Sequence, residues 1–155
     1  AAGFTIDPNK INNFIEYINK KVNNLVNAEI PKISYIATSV IPISACTLDL
    51  AEWLDKLGPS APGMEEPKCI IPNSKISSFR RFGSNNEHAS FYINDASSKK
   101  LKVKKFNLLN NALNKVFDNY ENVNFNFLGT LNVDTWNNTK SIELMLDDII
   151  YADVT

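Results

Sequence analysis

The spacing of apolar residues changes at Pro67, and this change constrains the fold more than any other feature of the chain. Before Pro67 apolar residues recur at helical spacing, whereas after it they alternate with polar residues. Alternation is typical of strands that bury only one face. From residue 75 onwards five such segments follow, with one helical segment between the third and the fourth. The sequence therefore predicts a mainly β domain of five strands and one helix.

The order of these segments predicts the kind of barrel that they form. Strand, strand, strand, helix, strand, strand is the element order of an OB-fold, a Greek-key barrel that commonly binds oligonucleotides. Imperfect alternation in the first strand predicts a bulge or strong curvature. Phe91, Phe125 and Phe127 are predicted to face the core, and Tyr92 to face outwards. We predict strands at 75–82, 88–95, 101–106, 123–133 and 141–149, a helix over 109–120 and a short extra strand at 69–71.

The first part of the chain predicts a strand over 1–6 and then an amphipathic helix. Asp7 is a suitable N-cap, and Pro8 suits the first helical position. The apolar face of this helix needs a cover, either the rest of this chain or a missing N-terminal body. That face is formed by Ile11, Phe14, Ile15, Ile18, Val22 and Leu25.

Residues 33–67 predict a strand, a second helix and a stiff connector. The strand covers 33–44, and Thr47 caps a helix that Gly58 and Pro59 end. The connector LGPSAPGMEEP at 57–67 holds three prolines and two glycines, which exclude regular structure. The whole chain is thus predicted to be an OB barrel preceded by a small α/β segment, with segments at 1–33, 34–72 and 73–155.

Composition limits the classes of partner. The formal net charge is −1, so a nucleic-acid site must come from local clustering of charge. Cys46 and Cys69 lack metal spacing, and a reduced intracellular chain is the simplest interpretation, although the two could pair. With no signal peptide and no apolar stretch long enough to span a bilayer, we expect a cytoplasmic protein without a membrane partner. The start at Ala1, without methionine, indicates a piece of a longer protein.

Basic residues and one tryptophan fall where OB-folds bind oligonucleotides. That region is the face of strands 2 and 3, bordered by the loops that join strands 1–2 and 4–5. In proteins that bind single strands, basic side chains contact the phosphates along the backbone and aromatic rings stack on the bases. The alternatives are an edge strand protected by charge and a tryptophan that closes the barrel end. The predicted nucleic-acid-binding residues are Arg80, Arg81, Lys100, Lys102, Lys104, Trp136 and Lys140.

The chain carries no recognisable catalytic constellation. Asp147 and Asp148 are adjacent on a predicted strand, so their side chains point to opposite faces. His88 is the only histidine, whereas a structural zinc site takes about four ligands. We therefore predict no catalytic residue, no metal ligand and no cofactor in this chain.

Several stretches, taken in order, resemble RecJ-type single-stranded-DNA exonucleases of the DHH phosphoesterase superfamily. The similarity covers nearly the whole chain and corresponds to the C-terminal part of that family. The connector departs from the family pattern, with Ser60, Ala61, Met64 and Glu65 at positions of Phe, Gly, Asn and Pro. The stretches are AAGF, DLAEWLDKLGP, PGMEEPK, RRFGSNNEHASFYIND, VKKFN and FLGTLNVDTWNNTKSIELMLDDI.

The resemblance implies two alternative roles. In the intact family, a Mn/Mg-dependent domain hydrolyses single-stranded DNA from 5′ to 3′ in repair and recombination, and that domain is missing from this sequence. The chain would then bind and guide single-stranded DNA and be inactive alone. Alternatively, it is a docking or structural module, or a split-gene remnant, whose helix at 8–26 associates with a separate catalytic chain.

Overall fold

The computed structural model separates the chain into two compact units, Ala1–Tyr35 and Ile36–Thr155. The predicted segment boundaries after residues 33 and 72 stay predictions. The predicted connector, with its helix stop at Gly58 and Pro59, falls largely outside the described residues. The structure describes residues 3–25, 34–57, 66–109 and 112–152.

The described part of the first unit contains one long helix. The Asp7 carboxylate accepts the N–H of Asn9 at 2.9 Å and caps a 3-10 turn at Pro8–Lys10. This turn leads into α1, Ile11–Leu25, so the predicted helix start is confirmed. The predicted strand over 1–6 is wrong for residues 3–6, which have no strand partner among the described residues. Strand conformation depends on such pairing.

The described residues before the barrel contain little strand. β1 is only Ser39–Val40, parallel to Cys69–Ile70, so the predicted strand over 33–44 is largely wrong. Pro42 has no N–H to donate and is followed by a 3-10 turn at Ile43–Ala45, which ends the pairing. Thr47 accepts the N–H of Leu50 at 3.2 Å and caps α2, Leu48–Asp55, as predicted. None of the helices in the described part of the chain has the length and apolarity needed to cross a bilayer.

Five strands close into a barrel in the second unit. The ring runs β2-β3-β4-β6-β5 and closes through β2–β5. β4 and β6 are parallel, and the other neighbours in the ring are antiparallel. This arrangement confirms the predicted OB-type barrel. The strands are β2 Cys69–Phe82, β3 His88–Asn94, β4 Lys100–Lys105, β5 Phe125–Trp136 and β6 Thr139–Tyr151.

The first barrel strand is continuous but sharply curved. Its first half pairs with β5 and its second half with β3. The register shifts between Ile71 and Ser74 and again between Ser77 and Arg80. Positive φ angles of 48° at Asn73 and 52° at Ser78 mark both irregularities. The predicted strands at 69–71 and 75–82 are therefore one strand, and the predicted bulge is confirmed.

The hairpin of β5 and β6 is longer than predicted. The predicted strands at 123–133 and 141–149 leave residues 134–140 as a loop, but pairing continues to Trp136 and Thr139. Asn137 and Asn138 have φ angles of 49° and 59°, as a two-residue hairpin turn requires. This tight turn lets the two strands pair to their tips.

The barrel interior is apolar, as the alternation predicts. Phe91, Phe125 and Phe127 are buried, so their predicted core positions are confirmed. The predicted helix over 109–120 is a 3-10 helix at Ala112–Asp118, which buries Leu113 and Phe117. The shorter helix agrees with the low helix propensity of the asparagines in this segment.

Candidate nucleic-acid interface

A groove of about 480 Å³ lies on the outer face of the barrel. It is open to solvent and combines basic, acidic, hydroxyl and aromatic side chains from four strands. Its lining residues are Arg80 from β2, Lys102 and Lys104 from β4, Asp134 and Trp136 from β5, and Thr139 and Ser141 from β6. Four of the seven predicted binding residues therefore line one surface.

The strand register explains why these side chains meet. Lys102 lies opposite Glu143 in the β4–β6 pair, and Glu143 lies opposite Asn132 in the β6–β5 pair. Side chains two residues apart on one strand share a face, so Lys104 follows Lys102, and Asp134 follows Asn132. Residues of three strands, distant in sequence, are thus brought to one side of the sheet.

The two groove lysines are paired with two carboxylates. Lys102 Nζ lies 3.1 Å from Asp134 Oδ2 and 3.5 Å from Glu143 Oε2. Lys104 Nζ lies 3.4 Å from the same Asp134 oxygen and 2.8 Å from the same Glu143 oxygen. The Glu143 side chain is only 7% exposed, so this carboxylate lies beneath the lysines. The four formal charges sum to zero.

The ion pairs shift the pKa values of Asp134 and Lys102 in opposite directions. The hydrogen bond from Lys102 lowers the pKa of Asp134 below its usual 3.8, and burial opposes this without reversing it. Burial lowers the pKa of Lys102, but the hydrogen bond to Asp134 and the charges of Glu143 and Asp134 outweigh it. The pKa of Lys102 therefore lies above its usual 10.5, and both groups are charged at neutral pH.

Arg80 is the cation and Trp136 the aromatic ring that the groove leaves available to a ligand. Among the residues that the structure describes, no carboxylate pairs with Arg80, whose side chain is exposed. Trp136 is 74% exposed at the end of β5, the most exposed aromatic residue in the described ranges. Its indole can therefore stack on a planar group, and Arg80 can contact an anion. The predicted alternative for Trp136, packing at the barrel end, does not fit this exposure.

The other predicted binding residues lie outside the groove lining. Arg81 follows Arg80 directly and points away, where its Nη2 donates to Asn114 Oδ1 at 2.5 Å. Lys140 faces α2 and pairs with Glu52 at 2.6 Å, on the opposite side of the hairpin from Trp136. Lys100 is exposed at the start of β4.

Sequence reasoning missed three residues of the groove lining, Asp134, Thr139 and Ser141. It also missed Glu143, which lies beneath the groove lysines. A signal for Glu143 was present, because it lies between the apolar residues Ile142 and Leu144 on a predicted strand, and alternation therefore places it on the outer face. Its meeting with the lysines depends on the parallel pairing of β4 with β6, which no local pattern reveals. Asp134 was missed because its strand was read as a loop.

The described residues offer no alternative site for metal or thiolate chemistry. No group of three or more His, Cys, Asp and Glu side chains among them could hold a metal ion. Cys46 and Cys69 are buried free thiols. Burial raises the pKa of Cys46 to about 12 and that of Cys69 to about 11. Both thiols are therefore protonated, and unreactive, at neutral pH.

The closed five-stranded ring and its outer groove place the chain in the class of OB-fold domains. More specifically, the family model of the RecJ OB domain matches residues 38–148, and the chain belongs to this family. A comparison with curated proteins gives no match. The predicted resemblance to RecJ-type exonucleases is confirmed.

Solved structures of RecJ contain a part with the same fold as this chain. The chain is similar to RecJ from Thermus thermophilus in complex with Mn²⁺, with a TM-score of 0.62 and 17% identity over 98% of this chain and 21% of that chain. The chain is also similar to RecJ from the same organism in complex with Mg²⁺, with a TM-score of 0.60 and 15% identity over 98% of this chain and 22% of that chain. The chain thus spans about a fifth of the RecJ length, and the RecJ catalytic domain is absent from these 155 residues.

Proposed function

We propose that this chain is the single-stranded-DNA-binding OB module of a RecJ-like exonuclease and is not itself catalytic. The observation that carries the proposal is the shared groove of Trp136, Arg80, Lys102 and Lys104. An exposed indole beside cations suits an unpaired strand, because a base can stack on the ring while a neighbouring phosphate meets a cation. The bases of a duplex are already stacked on one another.

The proposal is tested by titrating the chain into a fluorescently labelled single strand of about 20 nucleotides and following the anisotropy. We expect binding to the single strand, with a matched duplex bound more weakly. Trp136→Ala should weaken binding by about 5- to 150-fold, which corresponds to the loss of one stacking contact of about 1–3 kcal/mol.

Trp53→Ala is the matched control for Trp136→Ala. Trp53 is also largely exposed, but it lies on α2 with Lys56 Nζ 4.2 Å from its ring centre. Its removal should leave DNA binding unchanged. Equal losses in the two variants, or no binding by the wild-type chain at low salt, would overturn the proposal.

The non-catalytic part of the proposal has its own test. The purified chain, incubated with Mn²⁺ and labelled single-stranded DNA, should leave the DNA intact. Its role in the enzyme would then be to hold the strand while a RecJ-like catalytic domain, in the same or another chain, cuts it. Degradation that follows the 155-residue chain through successive purification steps would contradict this assignment.

A docking role is the second candidate, and the surface of α1 favours it. Ile11, Ile15, Ile18 and Val22 form an apolar face, and each of these side chains is exposed. An exposed apolar stripe of this kind typically packs against another protein surface. In this alternative the partner is the catalytic part of a RecJ-like enzyme.

The docking alternative is tested by co-elution of the chain with a RecJ-type catalytic domain in size-exclusion chromatography. Ile15→Glu should abolish co-elution if α1 docks, since a charge would enter an apolar interface. Asn13→Glu is the control, because it adds the same charge to the same helix outside the apolar stripe. Co-elution that survives Ile15→Glu would exclude docking through this face.

A further inference from the structure

We propose that Asp134 and Glu143 are internal counter-ions that make the groove select unpaired bases and limit its attraction to the phosphate backbone. This inference rests on the proposed function and specifies which part of the strand the site recognises. Its structural basis is the pairing of both groove lysines with both carboxylates.

The charge arrangement limits how strongly the groove can hold phosphates. A phosphate that approaches Lys102 or Lys104 also approaches Asp134 and the buried Glu143. Its attraction to each ammonium is offset by repulsion from a carboxylate less than 4 Å from that ammonium. Arg80 remains as the one cation of the groove lining without a carboxylate partner among the described residues.

Trp136 then becomes the principal determinant of binding. Stacking requires a base whose face is free, which single strands offer and duplexes do not. A groove with one effective cation should respond weakly to salt, since the slope of log K against log salt for single strands is about −0.7 per neutralised phosphate. Three fully available cations would give a slope of about −2.

Substitution of Asp134 tests the counter-ion role directly. Asp134→Asn keeps the shape of the side chain but removes its charge, and Glu143 still accompanies the lysines. We expect the slope to steepen from about −0.7 towards about −2. Affinity for single strands at low salt should rise about 3- to 10-fold, and affinity for duplex at least as much. The ratio of single-strand affinity to duplex affinity should therefore fall.

Glu52→Gln is the matched control, because it changes the net charge by the same amount outside the groove. Glu52 pairs with Lys140 on the side of the hairpin that faces away from Trp136. It should leave the salt slope and the duplex discrimination unchanged. Thermal unfolding of each variant establishes that it is folded, and the wild-type slope tests the inference without any substitution.

The outcomes separate this inference from the proposed function. Single-strand binding with a wild-type slope of about −2 or steeper would overturn the counter-ion role and leave the DNA-binding module intact. An Asp134→Asn chain that is folded but keeps the wild-type slope and duplex discrimination would also overturn it. If neither the wild-type chain nor the Asp134→Asn chain binds single strands at low salt, the proposed function is overturned, and the inference with it.

Discussion

The inner and outer faces of β4 are formed by alternating residues of one six-residue strand, and they follow different rules. Leu101 and Val103 face inwards and are buried among other apolar side chains. Lys102 and Lys104 face outwards, where they contact carboxylates from β5 and β6. Apolar burial is non-directional, so many neighbours can satisfy the inner face. The outer face depends on particular charges supplied by other strands, and its behaviour cannot be deduced from β4 alone.

The largest expected loss of stability comes from one of two adjacent aromatic residues of β3, and the other serves as its comparison. Phe91 is 1% exposed and Tyr92 is 41% exposed on the opposite face. Phe91→Ala should lower the free energy of unfolding by about 3–5 kcal/mol, because it removes buried area and leaves a cavity. Tyr92→Ala should cost less than about 1 kcal/mol. Urea unfolding measures both, and similar losses would show that the two faces do not differ as described.

A smaller loss of stability is expected from the close contact between β5 and β6 at Gly129. A Cβ atom on Gly129 would clash with the backbone oxygen of Met145, so Gly129→Ala forces the two strands apart. We expect a loss of about 1–3 kcal/mol in urea unfolding. Gly3→Ala is the control, since a Cβ there meets nothing within 4 Å. An unaffected Gly129→Ala chain would mean that this strand pair can separate at little cost.

The fold was predictable because each strand carries its own alternation. The inward positions of Phe91 and Phe127 needed only the residues beside them. Where a strand depends on a partner, local patterns failed: residues 33–44 are mostly apolar, yet within the described residues 34–44 only Ser39–Val40 form a strand. The prediction for the tip of the β5–β6 hairpin failed for the opposite reason. Its residues are polar, yet the strands pair right up to the turn at Asn137 and Asn138. Backbone pairing at these positions does not require apolar side chains.

The candidate site was predictable only in part. A period of two already separates Arg80 from Arg81, so this distinction could have been made from the sequence. Lys140 pairs with Thr135 and so lies on the other face of the hairpin from Trp136, which could be deduced only once the turn was known. Glu143 neutralises Lys102 only because β4 pairs with β6, and these two residues are about 40 positions apart in the sequence. Charge clusters read along a chain therefore overstate the positive potential when acidic partners come from distant strands.

If the groove charges stabilise the fold, their contribution should depend on pH. The pKa of Asp134 is lowered in the folded chain, so its contribution is present above its usual 3.8 and is lost as pH falls through the folded value. The pKa of Lys102 is raised, so its contribution is present below its usual 10.5 and is lost as pH rises further. Asp134→Asn should cost about 1 kcal/mol at pH 7.

The difference in unfolding free energy between wild type and Asp134→Asn should therefore shrink below about pH 3.8. Urea unfolding of both chains from pH 7 down to about pH 3 measures this, and the remaining carboxylates cancel in the difference. A difference that stays constant over the whole range would show that the charge of Asp134 does not stabilise the fold.

The smallest effect is expected at the ion pair between Glu52 and Lys140. Its 2.6 Å separation is shorter than the 3.1 Å between Lys102 and Asp134, and the hydrogen bond from Lys140 lowers the pKa of Glu52. The Lys140 side chain is nevertheless 55% exposed, so water and salt screen the attraction. Glu52→Gln should therefore leave the thermal unfolding midpoint unchanged within error. A loss as large as that of Asp134→Asn would mean that separation, and not burial, determines what these outer-face charges contribute.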